Sequence, residues 1–257
     1  MNDVLPRDRV VFLALLLVTL STEACVPEAV RWEEGSSVPP SVTEAWVPTT
    51  VPNDTLKCDS SLVFSRARGD TAFASWWTQL GNGRAALVVA RSDDRGRSWR
   101  VPEVADSTDR SRSGCARPKA SLAADTLNGY VHLAYYLVAP EGPGVFFTHS
   151  MGQGTMFHSP APIVYGERIS LGAVTSHGDT VAVAYENPNA ASPQVWLALS
   201  RTTGHIFEHR TSVSSATVTA TRPAVALEGA HVAVWWYESP RAGSATTVVA
   251  RRGTLLP

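Results

Sequence analysis

The sequence is poor in lysine: Lys57 and Lys119 are the only two, so nearly every base is an arginine. It also lacks an excess of either charge, with 22 Lys+Arg against 23 Asp+Glu. Residues 1–24 carry Arg7 and Arg9 with Asp3, Asp8 and Glu23, and without them 20 of each sign remain. A neutral chain does not offer the basic surface on which nucleic-acid binding rests, so no nucleic acid is expected as a partner. It offers no polybasic patch for an anionic membrane either. No segment shows a sustained helical period with caps. The seven histidines show no metal-ligand spacing, and His149, His158, His205 and His209 fall near turns, where surface positions are expected. Neither a metal nor any other cofactor is expected. Gly142-Pro143-Gly144 and Gly152-Gln153-Gly154 sit at turns and do not form a phosphate-binding loop, and no serine-hydrolase elbow occurs.

Long apolar runs are missing too, apart from Val10–Leu20. Those eleven residues would rise about 16 Å as a helix, too little for a bilayer core of about 30 Å. A charged start (Arg7, Arg9), a short apolar stretch and Ala24 before Cys25 make a secretory pattern, so residues 1–24 read as a signal peptide. Ala24-Cys25 resembles the lipobox of bacterial lipoproteins, although Thr22 and Glu23 depart from it. The resemblance implies acylation of Cys25 and an exported protein lipid-anchored to the bacterial envelope, the membrane being reached only through that lipid. Without the lipid the protein would be periplasmic or secreted. Cysteine is scarce, at three residues. If Cys25 carries a lipid, Cys58 and Cys115 remain as an even pair in an oxidising compartment, where a disulfide is expected.

Residues 25–57 are rich in Pro, Ser, Thr and Val and read as a tether. From Cys58 onward the chain repeats itself. Gly69, Gly129, Gly178 and Gly229 each precede a β-prone run, and three of those runs end in aromatics: Trp76-Trp77, Tyr135-Tyr136 and Trp235-Trp236-Tyr237. The third carries Tyr185 before Glu186. A second apolar run follows each: Ala86–Ala90, Val145–Thr148, Val195–Leu199 and Thr247–Ala250. A period of about 50 residues signals a propeller or solenoid. Runs of four to eight residues, rich in Val and aromatics and bounded by Gly, Pro, Asn and Ser, are strands. The fold class is therefore all-β.

After the second run of unit one comes Ser92-Asp93-Asp94-Arg95-Gly96-Arg97-Ser98-Trp99. It fits the Asp-box pattern, Ser-x-Asp-x-Gly-x-Thr/Ser-Trp, at Ser92, Asp94, Gly96, Ser98 and Trp99. Such a sequence suits a hairpin tip: Asp94 can accept bonds from the turn's amides, Gly96 permits a positive φ, and Trp99 can pack beneath. Degenerate copies stand in register at Ser150–Phe157 and Ser200–Phe207, keeping the Ser, the Gly and a final aromatic. Over residues 58–257 the chain thus resembles the sialidase-type β-propellers, built of four-stranded blades with Asp-boxes between strands three and four. The resemblance makes the box structural, and it places ligands on the opposite face. Four blades are visible where sialidases usually have six. Unit four stops before a fourth strand, so the ring is either incomplete or closed by an N-terminal strand from residues 40–57.

On the ligand face, the resemblance singles out Arg117 and Arg222, each before a proline, with Arg168 slightly out of register. These are candidates for the arginines with which sialidases hold a carboxylate, by bidentate pairing. Trp77, Glu186, Tyr237 and Glu238 lie where strands two and three join and could meet a sugar. No complete catalytic constellation assembles, because adjacent Tyr and Glu residues on a strand point to opposite faces. Three readings stay open: a propeller binding a carbohydrate or a protein, a sialidase-like hydrolase of acidic sugars, and a structural relic.

Overall fold

In a computed structural model, which describes residues 28–35, 46–240 and 245–257, almost all regular structure is β. Residues 1–24 and Cys25 lie outside the described residues. Sixteen strands form four antiparallel four-stranded sheets. Blade one holds β2 (Val63–Arg66), β3 (Ala72–Gly81), β4 (Arg84–Ser92) and β5 (Glu103–Asp106). Blade two holds β6 (Ser121–Ala124), β7 (Val131–Ala139), β8 (Gly142–Ser150) and β9 (Ala161–Tyr165). Blade three holds β10 (Gly172–His177), β11 (Thr180–Glu186), β12 (Val195–Ser200) and β13 (His209–Ser212). Blade four holds β14 (Val218–Glu228), β15 (His231–Pro240) and β16 (Thr247–Leu255), completed by β1 (Val30–Trp32). The architecture is a four-bladed β-propeller.

The glycines that open the repeats explain its regularity. Gly69, Gly129, Gly178 and Gly229 all take positive φ, between 57° and 75°, a region closed to most side chains. Each turns strand one back as strand two. Alternation within the strands then sends apolar residues to both faces, because a blade between two others is covered on each side. Phe73, Trp77, Leu87 and Val89 of blade one meet Leu133, Tyr135 and Leu137 of blade two in one core. Phe147, Val174, Val183 and Tyr185 join blades two and three, and Leu197, Val232, Val234 and Trp236 join three and four.

The closing strand corrects an expectation. It comes from Val30–Trp32, upstream of residues 40–57, with Val30 opposite Leu255 and Trp32 opposite Gly253. Gly253 lets it approach: a Cβ there would stand 2.6 Å from Val30. Residues 46–57 contain Pro48 and Pro52, which cannot donate to a ladder. They lie instead along the outer face of blade one. Trp46 packs edge-on to Phe64, and Trp76 donates its indole N–H to Asp54 at 2.7 Å.

The inner strands β2, β6, β10 and β14 pack side by side in that order, but β14 does not pack beside β2 in the same way. Among the described residues, the apolar cluster on the outer face of blade one (Ala74, Trp76, Ala86, Val88, Ala90 with Leu62, Phe64 and Trp99) contains nothing from blade four. Among the described residues, the four blades thus form an arc, open between blades four and one.

The Ser92–Trp99 segment joins β4 to β5, strands three and four of its blade. Asp94 Oδ1 accepts from the amides of Arg97 (3.0 Å) and Ser98 (2.8 Å), and Oδ2 from the Ser98 hydroxyl (2.6 Å). Ser98, with help from Ser92, thereby holds the Asp94 carboxyl well below its ordinary range. Ser92 Oγ accepts from Gly96 N at 2.7 Å, and Ser150 and Ser200 repeat that bond to Gly154 and Gly204 at 3.2 and 3.0 Å. All three turns keep one serine-to-glycine brace, even where the aspartate is gone.

Candidate functional site

Strand direction separates two faces. β8 runs from Gly142 to Ser150, so the loops after strand two and before strand one lie at the end away from the Ser92, Ser150 and Ser200 turns. On that far face, between the approaches to blades two and three, is a cleft of about 290 Å³. Its lining includes Asp109, Ser111, Arg117, Tyr136, Glu167 and Ile169.

Arg117 reaches this region but is fully engaged within the protein. Its Nε donates to Asp109 Oδ2 at 2.6 Å, Nη1 to the carbonyls of Gly114 and Gly83, and Nη2 to those of Ser111 (2.9 Å) and Gly83 (3.4 Å). Both charged side chains are buried, at 4% and 3% exposure. A guanidinium whose hydrogens all have acceptors has no bidentate fork left for a ligand carboxylate. This corrects the expectation drawn from Arg-Pro spacing: the arginine serves the loop that leads into blade two. Trp77 belongs to the same node. It is fully buried, lies 5.6 Å beneath the Arg117 guanidinium and donates to Pro118 O at 2.9 Å, so it is no sugar platform. The Cys58–Cys115 disulfide, with Cα atoms 5.2 Å apart, joins the lead-ins of blades one and two beside it.

The remaining residues of the expected set lie farther round the arc. Arg168 donates to Ala190 O (3.1 Å) and Asn187 O (2.6 Å). Glu186 is buried, and its two oxygens accept from Arg222 N (2.7 Å) and Leu171 N (3.2 Å), pinning blade three to blade four. Glu238 accepts from the Trp236 indole at 3.0 Å. Arg222 does not precede a strand. It sits inside β14 at a register shift, with φ of 53°, and its guanidinium lies 5.8 Å from the exposed Tyr237 ring. The three arginines thus have three separate sets of partners.

Tyr136, at the exit of a second strand, and Glu167, at the entry to a first strand, were not among the candidate ligand residues, yet both line the cleft. Tyr136 donates its hydroxyl to the Glu167 carbonyl at 2.9 Å. Burial, helped by the Glu167 and Asp109 charges, pushes the phenol pKa up, so it stays protonated. That shift is opposite to what a nucleophilic tyrosine requires. The cleft offers an aromatic face, serine hydroxyls and one exposed carboxylate, Glu167. Asp109 could have been suspected only from a polar cluster, Asp106-Ser107-Thr108-Asp109, that has no counterpart in the other repeats.

Among the turn histidines, His158 and His205 are exposed as expected and His149 is not. His149 is buried, and its ring stacks on that of His158, with centroids 4.4 Å apart. Burial, then the neighbouring histidines, pushes His149 down to about 3, and burial pushes His132 down to about 4. Both are neutral at pH 7.

No family model matches the sequence, and no curated protein matches it. Solved structures do match. The Hadza microbial sialidase Hz136 superposes with a TM-score of 0.56 at 15% identity, over 74% of this chain and 43% of that one. The fold is sialidase-like. The phage phi92 endosialidase gives a TM-score of 0.51 at 8% identity, over 76% of this chain and 35% of that one. The chain therefore spans less than half the length of either, in keeping with an arc of four blades. At such identities the likeness concerns the fold, and the chemistry has to come from the site.

Proposed function

We propose that this chain is an exported, sialidase-like propeller that binds a glycan without cleaving it, in the cleft between the lead-ins of blades two and three. The observation that carries this reading is the lining itself. Tyr136 offers a ring face against which the apolar side of a sugar can rest, and Glu167 with Ser111 and Ser113 offers acceptors and hydroxyls for its hydroxyl groups. With Arg117 committed to Asp109, the cleft suits a neutral saccharide better than an acidic one. Hydrolysis asks for a second carboxyl group at a defined separation, or an activated nucleophile. Here the tyrosine is held neutral and Asp109 is neutralised by its arginine. The signal at residues 1–24, the lipid on Cys25 and the Asp-box identity of the Ser92–Trp99 turn complete the proposal, because a tethered sugar-binding arc suits an envelope surface.

A glycan array and a fluorogenic sialoside assay on wild type, Tyr136→Ala and Glu167→Gln test it. Neutral glycans should bind, each substitution should weaken binding about tenfold or more through lost contacts to a ring or a charged acceptor, and the sialoside should stay intact. Sialoside turnover that disappears in both variants would establish the hydrolase instead. Glycan binding indifferent to both substitutions would remove the cleft from consideration.

A further inference from the structure

On the face opposite the cleft, three imidazoles converge from separate parts of the sequence. His149 is the last residue but one of β8, His158 follows the turn leaving that strand, and His205 lies in the corresponding turn of blade three. Two packing events unite them. The amide of His158 donates to His149 O at 3.0 Å, which sets these residues opposite each other. The blade-three turn leans on blade two so closely that a Cβ on Gly204 would come within 2.4 Å of Phe147. The His205 ring consequently stands 4.6 Å from that of His149 and 5.3 Å from that of His158. One ring nitrogen from each lies within 4.8 Å of the other two.

Two details distinguish this cluster from incidental stacking. His149 is 3% exposed, yet its Nε2 has no hydrogen-bond partner. A buried ring nitrogen left unpaired is costly unless something occupies its lone pair. His205 Nδ1 lies 2.7 Å from Thr202 O. A carbonyl there fixes the proton on Nδ1 and leaves Nε2 as the basic nitrogen, the arrangement that ligating histidines adopt through their outer-shell partners.

We propose that His149, His158 and His205 form a binding site for a divalent cation of the zinc class, bridging the turns of blades two and three. Neutral imidazole selects zinc, nickel and copper over calcium and magnesium, which require oxygen ligands. Zn–N bonds of about 2.0–2.1 Å place tetrahedral ligands about 3.4 Å apart. The ring nitrogens must therefore close by about 1.4 Å at most, and the His158 and His205 rings that would move are exposed. That open side leaves the fourth position to water or to an external donor. The site is independent of the sugar cleft, and neither proposal needs the other.

The test uses the untagged full chain, stripped with chelator and titrated with Zn²⁺ by calorimetry, with Co²⁺ as a visible probe of geometry. One zinc per chain is expected, a tetrahedral Co²⁺ spectrum, and a melting temperature that rises with Zn²⁺. His158→Ala and His205→Ala should each weaken binding at least about tenfold, by comparison with the 10–100-fold losses caused by outer-shell changes alone. His231→Ala, on blade four, should bind as wild type does. His149 is buried and its replacement could disturb folding, so the two exposed positions carry the decision. Absence of binding to wild type, or equal binding by wild type and both exposed variants, overturns the proposal.

Discussion

Replacing Arg117 with alanine separates a structural arginine from a ligand arginine. The substitution removes every bond of a guanidinium that is 4% exposed and strands Asp109, itself 3% exposed. The abandoned carboxylate keeps only the amides of Ser111 (3.1 Å) and Val138 (3.2 Å). Breaking one side of a buried ion pair costs about 3–5 kcal/mol, chiefly because a charge is left without its partner. The carbonyls of Gly114 and Ser111 lose their donor as well, which places Arg117→Ala toward the upper end. For a chain of this size, about 2–4 °C per kcal/mol converts a cost of about 5 kcal/mol into a fall in Tm of about 10–20 °C. Urea denaturation should show a lower midpoint with an unchanged slope. The double variant Arg117→Met with Asp109→Leu should recover part of the loss, since no lone charge remains. An unchanged Tm for Arg117→Ala together with abolished sugar binding would refute this reasoning and return the arginine to the ligand face.

Two further outcomes follow from the same physics. Cys58 and Cys115 are 57 residues apart, so reduction, or Cys58→Ser with Cys115→Ser, should cost about 4 kcal/mol on the chain-entropy account; equal urea midpoints with and without reductant would contradict it. Asp125 bridges blades two and three through the Gly178 amide at 2.9 Å. Burial raises its pKa, but the amides of Asn128, Leu127 and Gly178 more than offset that, so the folded value lies below the ordinary 3.8. Its contribution is therefore complete above that value and is lost as pH falls through the lower folded one. Acid unfolding followed by circular dichroism should be less steep in Asp125→Asn, and an identical profile would count against the bridge.

What the sequence made legible was whatever repeats. A turn glycine needing positive φ leaves the same mark in each unit, as Gly69, Gly129, Gly178 and Gly229 do, and the strands follow from the apolar runs between them. What it hid was whatever pairing across the arc creates. Arg117 and Asp109 are eight residues apart in a loop that no other blade copies, so spacing alone could not distinguish an arginine offered to a ligand from one consumed within its loop. His205 is brought to His149 and His158 by inter-blade packing, and no local spacing announces that. The closing strand was hidden for a related reason: three residues, Val30–Trp32, are too few for periodicity to register, and their partner lies more than 200 residues away.

The packing between neighbouring blades also bears on why Arg117 and Arg222, both candidates for one carboxylate, have different partners. In blades two and three the turn glycine seats on the preceding blade: a Cβ on Gly154 would meet Phe73 at 2.8 Å, and one on Gly204 would meet Phe147. Blade one packs on no preceding blade among the described residues, and there a Cβ at the same position, Gly96, would meet Pro48 at 2.3 Å and Trp46 at 3.2 Å. Thr50 fixes that segment, accepting from the Trp99 indole at 3.1 Å and donating to Gly96 O at 2.9 Å. The stretch around residues 46–50 therefore does for blade one what a neighbouring blade does for the others. Blade four has no such cover among the described residues, and its outer face leaves Trp235 half-buried and Tyr237 exposed. Arg222 lies over Tyr237 within blade four, while Arg117 is locked between blades one and two.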